Sequence, residues 1–223
     1  MPHRTSRSFA TPPARLGRRE RRRRETRERL FRAALRLFAE RGFTATTVED
    51  ITEAADVGKG TFFNYFSAKE HVLDMMGEIQ RGKVEQAAAA ARTGDESVRK
   101  VLTRLSCALA EEPGRSPALF RSLAIAVQSS EGARSILAKN LELGRKSLAE
   151  LMVIGQHRGE VRRDRDPGEL ARIFQQSFFG ALMLWSIHPP SKLADRLGNA
   201  MEVFWSGISA APTHEKRHKE KTP

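Results

Sequence analysis

The sequence is poor in cysteine and in long apolar runs. Cys107 is the only cysteine among 223 residues, which excludes an internal disulfide framework and a cysteine zinc cluster and suits a reducing compartment. A lone cysteine at helical spacing is expected to be buried and inert. No run approaches the 18 apolar residues typical of a transmembrane helix, so no membrane partner is expected. With 39% apolar and 30% charged residues, the composition predicts a folded globular protein.

Acidic residues are scarce at the start of the chain. Residues 1–27 contain ten arginines and only Glu20 and Glu25 as acids, which gives them +8 of the total net charge of +12. A basic arm favours a polyanionic partner, because Lys and Arg that neutralise phosphates release counterions. A solvated, disordered arm is the alternative. A Ser- and Arg-rich, acid-poor start also resembles an organellar transit peptide, but the arginines continue into a helical pattern.

No stretch alternates with a period of two, and no internal repeat is visible. Apolar residues instead recur at three- and four-residue spacing, which predicts an all-α protein of about nine helices joined by short loops. The first helix is expected from about Glu20 to Arg41, with Gly42 as its stop. Asp166 and Pro167 are expected to begin the helix that continues to Trp185, because proline suits a first turn.

Two short helices follow the first one. Either Thr46 or Thr47 is expected to cap a helix over about 48–55, in which a carboxylate reaches back to the cap. A third helix of about seven residues is expected to begin near Lys59 or Gly60 and to end at Phe66. Ser67 and Glu70 then form a second capping-box pattern before a long helix that ends at about residue 92.

The spacing of these two short helices is that of a helix-turn-helix, a pattern that is weak evidence when taken alone. Gly58 and Gly60 would let the backbone of the second helix approach DNA, and Lys59 can reach a phosphate. Thr47 can offer both a hydroxyl and a backbone N–H to a phosphate.

The run TTVEDITEAADVGKGTFFNYFSAKEHVL, preceded by AALRLFAERGF, resembles the DNA-binding domain of the TetR family of bacterial transcriptional regulators. The match spans about residues 27–73. The resemblance implies a cytoplasmic bacterial protein, associated with the nucleoid when bound to DNA. It implies DNA-contacting residues in and around the second short helix, namely Thr47, Val48, Gly58, Lys59, Gly60, Thr61, Phe62, Phe63, Asn64, Tyr65 and Lys69. Arg21, Arg22, Arg23 and Arg24 are the expected contacts of the arm.

The chain departs from the family pattern at four positions. Asp56 replaces the usual glycine of the turn, although Asp tolerates the left-handed conformation. Gly58 replaces a serine, Phe63 a tyrosine and Tyr65 a histidine. The missing hydroxyl of Phe63 leads to the hypothesis that Tyr65 or the arginine arm has taken over its phosphate contact.

The aromatic residues of this segment are expected to divide between two roles. Phe62 and Phe66 are four residues apart, share a helix face and are predicted to belong to the core, whereas Phe63 and Tyr65 point towards the edges. Asn64 is the side chain best suited to base readout, because an amide can bond bidentately to adenine; a plain solvent-facing asparagine is the alternative.

The resemblance also implies a C-terminal half that forms a ligand pocket and a two-fold dimer interface. The expected organisation is an arm (1–23), a DNA-binding domain (24–84), a ligand-binding and dimerisation domain (85–210) and a polar tail (211–223). Residues 170–185 are apolar on more than one face, which suits a dimer helix as well as internal packing. Plausible pocket residues, for which a core role is the alternative, are Met76, Phe120, Phe174 and Phe178.

The leading hypothesis is a homodimeric repressor that an unknown small molecule releases from a palindromic operator in double-stranded DNA. A helical protein that binds nucleic acid without sequence choice is one alternative, and a small-molecule-binding or enzymatic protein is another. The sequence shows no nucleophile-base pair, glycine-rich phosphate loop or set of residues at metal-ligand spacing. We therefore expect no catalytic residues, no metal and no cofactor.

Overall fold

The computed structural model describes residues 17–188 and 192–210. Most of the expected arm (1–16) and the expected polar tail lie outside these residues. The described chain is helical, as the sequence predicts, and its one β-type pairing is an isolated antiparallel bridge between Val161 and Ser209. A short 3-10 helix, Pro113–Arg115, separates α5 from α6. The α-helices are α1 (Arg18–Arg41), α2 (Val48–Ala54), α3 (Lys59–Phe63), α4 (His71–Thr93), α5 (Val98–Ala110), α6 (Pro117–Ser129), α7 (Glu131–His157), α8 (Pro167–Ile187) and α9 (Leu193–Ile208).

Several helix ends form as the sequence predicts. Gly42 ends α1 with a positive φ of 86°, and its backbone N–H donates to the carbonyl of Phe38 at 3.1 Å. Asp166 caps α8 by accepting a hydrogen bond from the backbone N–H of Glu169 at 2.9 Å. Pro167 occupies the first turn of α8, where a missing N–H costs no helical hydrogen bond.

The first correction concerns the boundary between the arm and α1. The helix begins at Arg18, so residues 18–23 are helical rather than part of a disordered arm. Arginine is a good helix former, and ion pairs one turn apart support this stretch. Arg21 lies 3.7 Å from Glu25, and Arg24 lies 3.2 Å from Glu28.

The second correction concerns the start of α4. The expected Ser67–Glu70 capping box does not form, and α4 begins only at His71. Residues 67–70 make a separate turn in which His71 N–H donates to the carbonyl of Ala68 at 3.1 Å. Lys69 is held in this turn by hydrogen bonds to the loop between α1 and α2, which keeps the segment out of the helix.

The third correction concerns Cys107, which is exposed on α5 rather than buried. Its helical neighbours Ser106 and Leu105 take the buried positions. Spacing alone did not distinguish which side of α5 faces the core.

The buried residues form two clusters. One joins α1, α2 and α3 to the start of α4 and also includes Leu119 and Ala126 of α6. The other lies among α4, α5, α7, α8 and α9 and includes Phe120, the neighbour of Leu119. Helix α6 therefore packs against both halves of the molecule, and α4 runs without a break across the expected domain boundary at residues 84–85. In the part of the chain described, no helix is long and apolar enough to cross a membrane.

Candidate DNA interface and ligand cavity

Thr47, not Thr46, caps the first helix of the helix-turn-helix. Thr47 Oγ1 accepts a hydrogen bond from Asp50 N–H at 3.1 Å. Asp50 Oδ2 accepts in return from the backbone N–H of Thr47 at 2.8 Å and from its hydroxyl at 2.7 Å. Thr46 is buried, and its hydroxyl donates to the carbonyl of Gly42 at 2.7 Å. Both donors that Thr47 was expected to offer to a phosphate are therefore engaged by Asp50.

The second helix, α3, is shorter than predicted. It spans five residues and ends at Phe63, with Asn64 as its C-terminal cap, rather than continuing to Phe66. The turn before it has the expected left-handed residue, because Asp56 has a φ of 51°. At Gly58 and Gly60, an added Cβ would meet no heavy atom within 4 Å. The backbone at both positions is thus open to close approach by a partner.

The aromatic residues divide as their spacing predicts. Phe62 is fully buried and Phe66 nearly so, with ring centroids 5.5 Å apart, which confirms their place in the core. Phe63 is 49% exposed, and its ring meets Phe62 edge-on at 5.5 Å. Tyr65 is half-buried against the same cluster, and Asn64 is exposed. The surface of α3 therefore offers Phe63 and Asn64 to a partner, while Phe62 and Phe66 fix the helix.

The two lysines of the segment have different surroundings. Lys59 is exposed and forms an ion pair with Glu49, and this hydrogen bond holds the pKa of the Glu49 carboxyl below its usual range. Lys69 donates to the carbonyls of Phe43 and Thr46, both at 2.7 Å. Its ammonium lies 4.4 Å from the centroid of the Phe43 ring, and burial lowers its pKa. Lys69 thus fastens the loop between α1 and α2.

The remaining candidate residues for DNA contact lie on α1, α2 and α3. Val48 and Thr61 are half-buried. The four arginines at the start of α1 are all exposed, at positions Arg21, Arg22, Arg23 and Arg24. They form a basic surface that belongs to an ordered helix.

The capping box makes the stability of the helix-turn-helix dependent on pH. Hydrogen bonds from the hydroxyl and backbone N–H of Thr47 lower the pKa of Asp50 from its ordinary 3.8. The lowered pKa stabilises the folded state above pH 3.8, and this contribution disappears as the pH falls through the folded-state value.

We expect the thermal midpoint of the wild-type protein to fall more steeply between about pH 5 and pH 2 than that of Asp50→Asn, which keeps an acceptor but has no carboxyl to titrate. Thermal denaturation of both proteins across this range measures the difference. Parallel curves would show that the titration of Asp50 does not contribute to the stability of the protein.

A cavity of about 520 Å³ lies among α4, α5, α6, α7 and α8, within the size range of small-molecule sites. Its wall is mostly apolar. The four residues that the sequence suggested all line it: Met76, Phe120, Phe174 and Phe178. Phe120, Phe174 and Phe178 also belong to the core cluster. These three residues therefore line the cavity and also have the core role that was the alternative.

The wall also contains polar residues that the sequence pattern did not single out. Gln80, Arg81 and Asn140 also line the cavity. Gln80 lies four residues after Met76, which is the spacing of one helix face. That spacing was the available signal for Gln80. Arg81, five residues after Met76, and Asn140, on a different helix, carried no such signal.

The outer surface of α8 and α9 exposes several large apolar side chains among charged ones. Ile173, Leu184 and Ile187 on α8 are 45%, 53% and 50% exposed, and Val203 on α9 is 72% exposed. A groove between the two helices includes Leu184 and Val203. The inner face of α8 meanwhile packs Phe174, Phe178 and Leu182 into the core. The second apolar face expected for residues 170–185 is thus present and uncovered in the single chain.

A helix-turn-helix joined to a helical domain with an apolar cavity defines a ligand-responsive DNA-binding regulator. The family model for bacterial regulatory proteins of the tetR family matches residues 30–76. The transcriptional repressor DhaR of Mycobacterium sp. strain GP1 is 30% identical over 169 residues, which cover 72% of this chain and 82% of DhaR. The chain therefore belongs to the TetR family of bacterial transcriptional regulators, as its sequence motif indicated.

Two other proteins are similar to this chain over most of its length. The transcriptional repressor KstR of Mycolicibacterium smegmatis is 26% identical over 166 residues, covering 73% of this chain and 77% of KstR. The crystal structure of Thermus thermophilus FadR, a TetR family repressor in complex with lauroyl-CoA, superposes with a TM-score of 0.61 at 28% identity. That match covers 84% of this chain and 97% of FadR. The all-α fold is thus shared along nearly the whole described chain.

Proposed function

We propose that this regulator is a homodimeric repressor that binds a palindromic operator and leaves it when a small molecule enters the cavity. One observation carries the proposal. The helix-turn-helix and the cavity are connected by α4 and α6, which each pack in the N-terminal cluster and each line the cavity. A ligand with different affinity for the two arrangements of these helices would shift the DNA-binding equilibrium.

The proposed DNA contacts are made by the exposed groups of the helix-turn-helix. The backbone at Gly58 and Gly60 approaches the phosphates, Lys59 exchanges Glu49 for a phosphate, and Asn64 faces the base edges. Phe62 acts by anchoring α3 rather than by contact. The hydroxyl of Tyr65 remains the proposed replacement for the one that Phe63 lacks.

The proposed partner of the α8 and α9 surface is a second copy of the chain. Four helices, two from each protomer, would bury the exposed side chains of Ile173, Leu184 and Val203. A two-fold dimer would place its recognition helices about 34 Å apart, one DNA turn, which matches successive major grooves of a palindrome.

The proposed ligand is a long-chain acyl thioester. The cavity wall is mostly apolar and contains four phenylalanines, and its volume suits a flexible apolar chain. Thermus thermophilus FadR, which shares the fold at 28% identity, was crystallised in complex with lauroyl-CoA.

Electrophoretic mobility shifts on DNA upstream of the protein's own gene test this function. We expect a site whose binding survives an excess of unrelated duplex of about 1,000-fold, and which lauroyl-CoA releases. Competition by unrelated duplex at equal potency would favour binding without sequence choice. A specific complex that lauroyl-CoA leaves intact would contradict the proposed ligand and leave the operator binding established.

A further inference from the structure

One arginine in the wall of the apolar cavity forms no ion pair in the part of the chain described. Arg81 of α4 lines the cavity, and its Nη1 is shielded from solvent without a hydrogen-bond partner. Over residues 17–188 and 192–210, no carboxylate forms an ion pair with Arg81. Arg81 as a whole is half-buried, but a shielded N–H of a cation that has lost its hydration and gained no acceptor is unfavourable.

Three carboxylates around this part of α4 have other partners. A fourth, Glu85, is exposed four residues after Arg81 and forms no ion pair with it in the part of the chain described. Asp74 Oδ1 accepts from Asn140 Nδ2 at 3.1 Å. Glu78 forms an ion pair with Arg27 at 2.8 Å. Glu112 Oε2 accepts from Lys83 at 2.8 Å and from Gln80 Nε2 at 2.9 Å. These three carboxylates are thus engaged by other groups, and no carboxylate of the described residues pairs with Arg81.

Two shielded acceptors accompany the cation. Gln80 Oε1 and Asn140 Oδ1 both line the cavity region and lack a hydrogen-bond partner. Neither amide can be turned round, because Asn140 Nδ2 also donates to the carbonyl of Ile136 at 2.8 Å and Gln80 Nε2 is held by Glu112. Both unpartnered atoms are therefore carbonyl oxygens, which require N–H or O–H donors.

Gly77 makes room for this arrangement. A Cβ at Gly77 would lie 2.2 Å from Cγ of Asn140, so only the absence of a side chain lets the Asn140 amide pack against α4. The polar group of α7 is thus brought directly against the helix that carries Gln80 and Arg81.

We propose that Arg81, Gln80 and Asn140 form a polar subsite that binds the head group of an amphiphilic ligand. This inference rests on the proposed function and specifies how its ligand is recognised. Arg81 binds an anionic group, the two carbonyl oxygens accept from N–H or O–H groups beside it, and the apolar chain lies along Phe120, Phe174 and Phe178. A coenzyme A thioester supplies phosphates together with amide N–H and hydroxyl groups, whereas a fatty acid supplies a carboxylate alone.

Isothermal titration of the full-length protein without DNA tests the subsite with lauroyl-CoA, dodecanoate and dodecanol. The variants are Arg81→Met, Arg81→Lys and the control Arg92→Met, which removes an exposed arginine of the same helix that pairs with Glu150. We expect Arg81→Met to weaken lauroyl-CoA binding about tenfold or more, because charge-assisted hydrogen bonds are lost. Arg81→Lys should recover part of the affinity, Arg92→Met should match the wild type, and dodecanol should bind the wild type and Arg81→Met equally.

The thermal midpoint without ligand distinguishes recognition from a structural role. Removing an unbalanced cation should leave the midpoint of Arg81→Met unchanged or higher. A lower midpoint, or unchanged affinity of Arg81→Met for both lauroyl-CoA and dodecanoate, would overturn the proposal. Dependence on Arg81 for dodecanoate instead of lauroyl-CoA would support the anion subsite and identify a carboxylate as its ligand. Failure of the wild type to bind either anion would overturn the subsite, while the operator assay would still report on DNA binding separately.

Discussion

Replacement of Phe62 by alanine is expected to lower the free energy of unfolding by about 3–5 kcal/mol and to abolish operator binding. Phe62 is fully buried, and its ring packs against Phe66 with centroids 5.5 Å apart. Helix α3 has only five residues, too few to be stable without packing. Loss of the ring leaves a cavity under α3 and removes what fixes the helix to its domain.

Phe63→Ala is the matched control, since it makes the same chemical change at the next position. Phe63 is 49% exposed, and its edge contact with Phe62 accounts for about 1 kcal/mol. Urea denaturation at a fixed protomer concentration measures both variants, because the stability of the proposed dimer would depend on concentration. Equal losses in the two variants would contradict the division of the aromatic residues into core and surface.

Replacement of Leu184 by arginine is expected to raise the dimer dissociation constant by on the order of 100-fold or more, since burying an unpaired charge costs several kcal/mol. Leu184 is 53% exposed on α8 in the groove that α9 completes. The surroundings already contain Arg172 and Arg196, so the introduced charge adds to a basic surface. Operator affinity should fall with dimerisation, because each protomer reads one half-site.

Ile125→Arg provides the control at matched exposure. Ile125 is also 53% exposed but lies on α6, away from the groove between α8 and α9. Sedimentation equilibrium should show a dimer for Ile125→Arg and a monomer for Leu184→Arg at the same concentration. Dissociation of both variants, or of neither, would argue against the α8 and α9 surface as the dimer interface.

Much of the helix-turn-helix could be predicted because its determinants are local. Gly42 must supply a positive φ where α1 ends, and Asp56 does the same in the turn. The capping box needs Thr47 and a carboxylate three residues later, and Asp50 provides it. The burial of Phe62 and Phe66 follows from their four-residue spacing, although α3 ends earlier than the spacing suggested. Phe62 lies within α3, and Phe66 lies beyond its end.

The expectations that needed correction depend on contacts that are distant in sequence. Ser67 and Glu70 have the pattern of a capping box, but Lys69 binds the carbonyls of Phe43 and Thr46, 26 and 23 residues earlier. A local pattern lists the possible partners of a side chain, and packing selects among them.

The sequence by itself determined the all-α class, the helix-turn-helix and the family, because helical periodicity, caps and turn residues act over a few positions. Only the tertiary structure decided the site chemistry of the C-terminal half. Gln80, Arg81 and Asn140 line one cavity because α4 packs against α7 at Gly77. Whether a polar group is satisfied depends on neighbours far along the chain, as Asn140 and Asp74, 66 residues apart, show. Local order is encoded residue by residue, whereas an unbalanced charge inside a cavity exists only once the helices have packed.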